Sequence, residues 1–255
     1  MNPTLTTLFN HRSIRQFTAE KLTTDEVTTL IAAAQHAATS TFSQQYSVIS
    51  VTDPAKLAVL GDITGHHWLE QAGHYFVMVA DQYRNLQLVP PTATTTTNLH
   101  SLDKLLAGVF DAAIATEAIV TAGESLNLGS TIMGSILNDA PRVIDLLDLP
   151  ELTFPVLGLA IGHPTEHPEH PTEHPEQKPR LPQDLMHFTN GYQALTADDA
   201  RLVAYDQVIH DYYQQRGTHQ RDETFSHHII SEMSRDPQQR AGILQALQQQ
   251  GFLTE

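Results

Sequence analysis

The sequence predicts a chain of mixed helices and strands, built around a few wholly apolar strands and one long helix rich in small residues. Tyr75-Phe76-Val77-Met78-Val79-Ala80 and the run Phe154 to Gly162 are continuous apolar stretches of strand length, as expected for strands covered on both faces. Residues 101–127 place Leu105, Leu106, Val109, Ala112, Ala113, Thr116, Ile119, Val120 and Gly123 on a helical stripe. The 255 residues are 40% hydrophobic and 17% charged, enough for a sizeable core. No linker separates two cores, so residues 1–255 are expected to form one elaborated domain.

Taken in order, Pro3 to Asn10 reads as a short helix with Leu5, Leu8 and Phe9 on one side. Thr24-Asp25-Glu26 opens a helix to about Ala37, a Thr cap with acids in the first turn. Val27, Leu30, Ile31 and Ala34 give it a buried face, and the polar loop 38–45 leads to a strand over 46–52. Asp53-Pro54 caps a helix to about Leu60, and Gly65-His66-His67-Trp68 makes a turn before the central strand. Pro90 to Thr97 is a polar link without periodicity. The long helix stops at Leu128-Gly129, a strand-like piece follows over Gly129–Ser135, and Asn138-Asp139-Ala140-Pro141 starts a helix to about Leu147. After the second apolar strand, His163-Pro164-Thr165-Glu166-His167-Pro168-Glu169 recurs identically as residues 170–176. Surface helices are expected over 196–216 and 235–250, the second ending in a Gln-rich exposed stretch.

Composition excludes several functions. There is no cysteine, which removes disulfides, thiolate catalysis and Cys-based metal sites. With 14 Lys and Arg against 29 Asp and Glu, general affinity for nucleic acid or an anionic membrane is excluded. No apolar run approaches the roughly 20 residues of a transmembrane helix. Met1-Asn2-Pro3-Thr4 lacks the basic and apolar parts of a signal peptide, so a cytoplasmic location is expected. GxSxG, HExxH, GxGxxG and Walker-type signatures are absent.

Against a net charge of -15, two cationic groups stand out: His11-Arg12-Ser13-Ile14-Arg15 and Lys178-Pro179-Arg180. Guanidinium forks suit phosphate, and Ser and His add shorter hydrogen bonds to the same oxyanion. Each stretch alone also reads as an exposed turn or loop. The glycines of Gly129–Ser135 let a ligand approach backbone N–H groups, or equally serve tight packing. The His-Pro repeat carries metal-ligand residue types. Repeated proline favours extended chain and perfect duplication suggests slippage, so no metal site is assigned there.

HRSIRxF at 11–17, the hydroxyl-rich loop 39–45, the helix-then-glycine stretch 123–138 and KPRLP at 178–182 together resemble the nitroreductase superfamily. The nearest branch is that of NADPH-dependent FMN oxidoreductases, which includes oxygen-insensitive nitroreductases and flavin reductases. Tyr212-Tyr213-x-x-Arg216-Gly217 with Arg221 and Phe225-Ser226 resembles that branch's C-terminal region, so the similarity spans almost the whole chain.

The resemblance implies an α+β fold, a central mainly antiparallel sheet sandwiched by helices, in an interlocked homodimer. The long helix and a C-terminal extension, about 190–255, would join the subunits, the extension wrapping the partner. One FMN would sit at each of two subunit interfaces. His11, Arg12 and Ser13 would hold its phosphate region with Lys178 and Arg180, while Arg15 would lie at the pyrimidine edge. Thr39, Ser40 and Thr41 would reach it from the partner. Ile132, Met133, Gly134 and Ser135 would run along the ring, with the Gly134 N–H near N5. Arg216 and Arg221 would take the 2′-phosphate of NADPH.

The chain departs from the pattern at three residues and in the duplicated HPTEHPE, which lengthens the loop leading to Lys178. Ser135 stands where glycine is usual, His67 where glutamine is usual near the flavin, and Leu137 where an arginine often follows the glycines. The implied activity is ping-pong hydride transfer from NADPH through FMN to nitroaromatics, quinones or similar small molecules. A dedicated flavin reductase on the same fold, and a non-catalytic flavin- or metal-binding protein, are the alternatives.

Overall fold

In the computed structural model, residues 1–90, 96–165, 177–217 and 219–254 are described. They form two compact units: Met1–Thr165 together with Gln238–Glu255, and Glu166–Pro237. Most of the duplicated HPTEHPE segment, and most of the polar link after Pro90, lie outside the described residues.

The first unit contains a four-stranded sheet of β1 (Tyr46–Val51), β2 (His74–Asp81), β3 (Gly129–Met133) and β4 (Thr153–Gly162), in the order β1-β2-β4-β3. Every pairing is antiparallel. Helices α1 (Pro3–Phe9), α2 (Thr24–Gln35), α3 (Pro54–Thr64), α4 (Tyr83–Leu86), α5 (Leu102–Ser125) and α6 (Ala140–Leu146) belong to the same unit. The second unit carries α7 (Ala200–Gln215) and α8 (Phe225–Met233), and α9 (Ile243–Gln249) returns to the first.

Alternation along β2 explains its uninterrupted apolar run. Tyr75, Val77 and Val79 pack on one face with Ile14, Phe17, Leu57, Leu60 and Leu69. Phe76, Met78 and Ala80 pack on the other with Leu30 and Ala34 of α2 and Ala112, Ala115 and Ile119 of α5. Each fully buried side chain of this size contributes about 1.5–3 kcal/mol. The small residues of α5 serve this approach, because a Cβ on Gly123 would sit 2.6 Å from Ile161 Cδ1.

Four expectations need correction. The cap of α2 is Thr23, not Thr24: its hydroxyl accepts from Glu26 N–H at 3.2 Å while Glu26 accepts from Thr23 N–H at 2.7 Å. The strand-like piece ends at Met133, and Gly134–Asp139 winds into a 3-10 turn. The expected helix 235–250 is instead a 3-10 turn, Pro237–Arg240, and then α9. Its end is anchored, since Gln250 Nε2 donates to the carbonyls of Pro150 at 2.9 Å and Thr153 at 3.0 Å. Finally, α5 is long and apolar enough to cross a membrane by length and composition, although half of its most apolar window is buried inside the protein.

Candidate functional site

The His11–Arg15 stretch leaves α1 and lies along β3. Ser13 forms a parallel bridge with Ser130, and Ile14 N–H donates to the Ser130 carbonyl at 2.8 Å. Ile14 turns its side chain into the core and leaves Arg15 exposed. Gly129 makes this docking possible: a Cβ there would fall 2.6–2.9 Å from three side-chain carbons of Ile14.

His11 Nδ1 lies 2.6 Å from Glu124 Oε1, near the end of α5. Burial pushes the Glu124 carboxyl above its ordinary range, partly offset by the His11 hydrogen bond and the Arg12 charge. Arg15 faces the turn before the 3-10 stretch His67–Gln71, where burial first and then the Arg15 charge hold His66 below its ordinary value. Among the described residues, neither Arg12 nor Arg15 has a carboxylate at ion-pair distance.

At the end of β3 the expected ligand-facing backbone takes a definite form. Ile132 is outward and exposed, Met133 inward and buried, and Gly134 and Ser135 are half-buried. A Cβ on Gly134 would meet no atom within 4 Å, so this backbone borders open space. The Ser130 hydroxyl is buried and has no hydrogen-bond partner among the described residues. His67 is exposed, 3.6 Å from Asp62. Leu137 packs into the core, which accounts for an apolar residue there.

Loop 39–45 is strained and tied down. Thr41, Phe42 and Gln44 have φ of 51°, 58° and 48°, an unfavourable region for side-chain-bearing residues. Asp111 on α5, only 1% exposed, accepts from Ser40 N–H at 2.7 Å and Gln45 N–H at 2.9 Å. Arg84 donates to the Gln44 and Tyr46 carbonyls. The loop consequently presents Ser40, Thr41 and an 83% exposed Phe42 outward, with Thr39 half-buried at its start.

In the second unit three of the remaining expected cations, Lys178, Arg216 and Arg221, gather around one aromatic ring. Lys178 Nζ lies 5.5 Å, Arg216 5.8 Å and Arg221 4.1 Å from the Tyr213 centroid. Arg221 also donates to the Tyr213 hydroxyl at 2.7 Å, and Arg216 lies 5.5 Å from the Tyr212 centroid. Arg180 donates to the Lys178 carbonyl at 3.0 Å.

Sequence reasoning missed Glu124, Asp111 and Tyr213 as organisers. Glu124 sits in Gly123-Glu124-Ser125 near the end of α5, and Asp111 lies in the middle of the same helix. Acids on a small-residue helix were the available signal for both. Tyr213 stood inside a quoted motif without a role.

The comparisons with known proteins cover both units. Residues 8–163 match the nitroreductase family, and residues 178–255 match the nitroreductase family's C-terminal domain. The chain belongs to the nitroreductase family. It is 38% identical over 241 residues to a Bacillus subtilis FMN reductase (NADPH), covering 93% of this chain and 94% of that protein. It is 37% identical to an oxygen-insensitive NADPH nitroreductase of Salmonella typhimurium, covering 100% of both. Among solved structures, a Bacillus subtilis nitroreductase superposes with a TM-score of 0.88 at 35% identity, over 99% of this chain and 100% of that one. An NADPH:FMN oxidoreductase from Vibrio harveyi, complexed with NAD+, gives 0.86 at 30% identity over 100% of each. The nitroreductase fold expected from HRSIRxF and KPRLP is thus the fold the chain has, and the sheet is antiparallel as that resemblance implied.

Proposed function

We propose that this nitroreductase-family protein is an NADPH-dependent FMN oxidoreductase that reduces nitroaromatics, quinones or similar flat acceptors by ping-pong exchange. The observation that carries the reading is the pairing of His11–Arg15 with β3. It ties two arginines, which among the described residues have no carboxylate at ion-pair distance, to the strand that runs on to Gly134, where the backbone borders open space. The relatives named as NADPH-dependent FMN reductase and nitroreductase point the same way.

The donor set fits FMN. In this reading His11, Arg12 and Ser13, with Lys178 and Arg180, bind the phosphate region as forked and single donors. Arg15 stands at the ring's pyrimidine edge, and Ile132, Met133, Gly134 and Ser135 line the ring. Thr39, Ser40 and Thr41 approach from a second subunit, and His67 from the turn near Arg15. When bound, FMN supplies hydride acceptance at N5. Arg216 and Arg221 hold the 2′-phosphate of NADPH.

We further propose a homodimer. Leu102, Leu106, Phe110 and Ile114 recur every fourth residue along α5 and are exposed, Phe110 at 57%. Exposed Leu5, Leu8 and Phe9 of α1 belong to the same unit. An apolar stripe of this extent marks a protein interface, and a second copy of the chain covers it in this reading. The C-terminal extension, about 190–255, wraps the partner, and the enzyme is cytoplasmic.

The Arg15→Gln variant tests the assignment. A cation beside the pyrimidine edge stabilises negative charge on the reduced ring. Its removal is expected to lower the bound flavin's reduction potential while leaving FMN affinity within about threefold. FMN lost from the protein, with an unchanged potential in what remains bound, contradicts the assignment.

A further inference from the structure

We propose that Tyr213 is the positioning residue that builds one polyanion site from two cation groups, and so sets the preference for NADPH over NADH. The inference rests on the coenzyme and flavin-phosphate roles proposed above for Arg216, Arg221 and Lys178.

Tyr213 is 3% exposed, held in the core of the second unit by Tyr205 and Ile209 with Leu181, Tyr212 and Phe225 around them. Its position is therefore set by packing and not by the cations. Lys178 comes from the KPR loop and Arg216 from the C-cap of α7, while Arg221 follows five residues later. Three segments deliver one positive charge each to within 6 Å of the same ring. The negative ring face attracts each cation, and the hydroxyl fixes Arg221 by a direct hydrogen bond at 2.7 Å. Tyr212 packs edge-on against Tyr213, 5.1 Å between centroids, and offers Arg216 a second ring.

Charge compensation is sparse. Glu223 stands 3.8 Å from Arg221 but shares itself with His227 at 2.6 Å. Among the described residues, Lys178, Arg180 and Arg216 have no carboxylate at ion-pair distance. Clustered like charges without acids repel one another and are relieved by bound anion. Lys178, Arg216 and Arg221 bring three positive charges to the ring against one shared carboxylate, Glu223. On the roles proposed above, the cluster serves two phosphate groups, one of FMN through Lys178 and one of the coenzyme through Arg216 and Arg221, with Tyr213 holding both sets.

The test uses the FMN-loaded enzyme in steady-state turnover with NADPH and with NADH. Tyr213→Leu, which removes ring and hydroxyl, is expected to raise the ratio of KM for NADPH to KM for NADH about tenfold, with rates expressed per bound FMN. Tyr213→Phe restores the ring and is expected to hold that rise to about threefold. FMN release should quicken in Tyr213→Leu and not in Arg221→Gln. If Tyr213→Leu unfolds, Tyr213→Phe decides alone, and an unchanged ratio of the two KM values overturns the proposal. A ratio that shifts in Arg221→Gln but in neither Tyr213 variant overturns the role of Tyr213 and spares the coenzyme site. A ratio that moves in none of the three overturns both. A shifted ratio with unaltered FMN release in Tyr213→Leu overturns the two-phosphate form of the site.

Discussion

The two cationic groups of this protein are organised by opposite means. In the first unit the His11–Arg15 backbone is pinned to β3, the His11 ring is hydrogen-bonded to Glu124, and Ile14 anchors the stretch in the core. In the second unit Lys178, Arg216 and Arg221 come from separate segments and are collected by the Tyr213 ring. A strand-pinned arginine is placed by its neighbours' hydrogen bonds and depends little on its own side-chain contacts. A ring-mounted arginine depends on the aromatic surface beneath it. Backbone changes should therefore damage the first group, and side-chain changes the second.

The largest effect is expected from Gly129→Val, which forces side-chain atoms into Ile14 and lifts His11–Arg15 off β3. Overpacking of this kind costs about 3 kcal/mol, read as a fall in Tm of roughly 6–12 °C. An unchanged Tm with FMN retained would show that the stretch is not held by this docking. Asp111→Asn comes next. It replaces a buried carboxylate that accepts two backbone N–H bonds by a group with one acceptor oxygen, and denaturant unfolding should show a loss of about 2 kcal/mol. If loop 39–45 reaches a partner's flavin as proposed, FMN release should quicken in the same variant.

Glu124→Gln is a smaller perturbation, about 1 kcal/mol at neutral pH, because Gln keeps one hydrogen bond to His11. Its informative readout is pH. Burial raises the Glu124 pKa in the folded protein above the ordinary 4.5. The folded state then holds the proton more tightly than the unfolded state, so this group adds stability as pH falls through the raised value. That increment should disappear in the Gln variant. His74 supplies the opposite sign and belongs to neither cationic group. Burial, then Lys21, depresses its pKa below 6.5, so the stability it contributes is full above that value and lost as pH falls toward the folded pKa. His74→Phe should abolish this loss while leaving FMN release unchanged.

Much of the fold was legible because it rests on periodicity. The apolar runs of β2 and β4 and the small-residue stripe of α5 say directly which faces are buried. The HRSIR and KPR groups were visible because cations are rare in so acidic a chain. What could not be read was pairing at a distance. His11 and Glu124 are 113 residues apart, and Ser40 and Asp111 are 71 apart, so no local pattern links them. The terminal Gln250 was read as solvated because its neighbours are glutamines, yet three carbonyls near β4 claim its amide. The α5 helix escaped a membrane reading because Asp103, Lys104, Asp111 and Glu117 interrupt its apolar sequence, although the interruptions are few enough for its mean to pass.

The most direct test of the account is anaerobic stopped-flow mixing of the purified protein with NADPH and, separately, with NADH, following the visible flavin band. The account predicts a yellow protein that binds about one FMN per chain and bleaches in a single turnover, faster with NADPH at equal concentration. A protein that stays colourless after incubation with FMN, or a bound flavin that neither coenzyme bleaches, would contradict it.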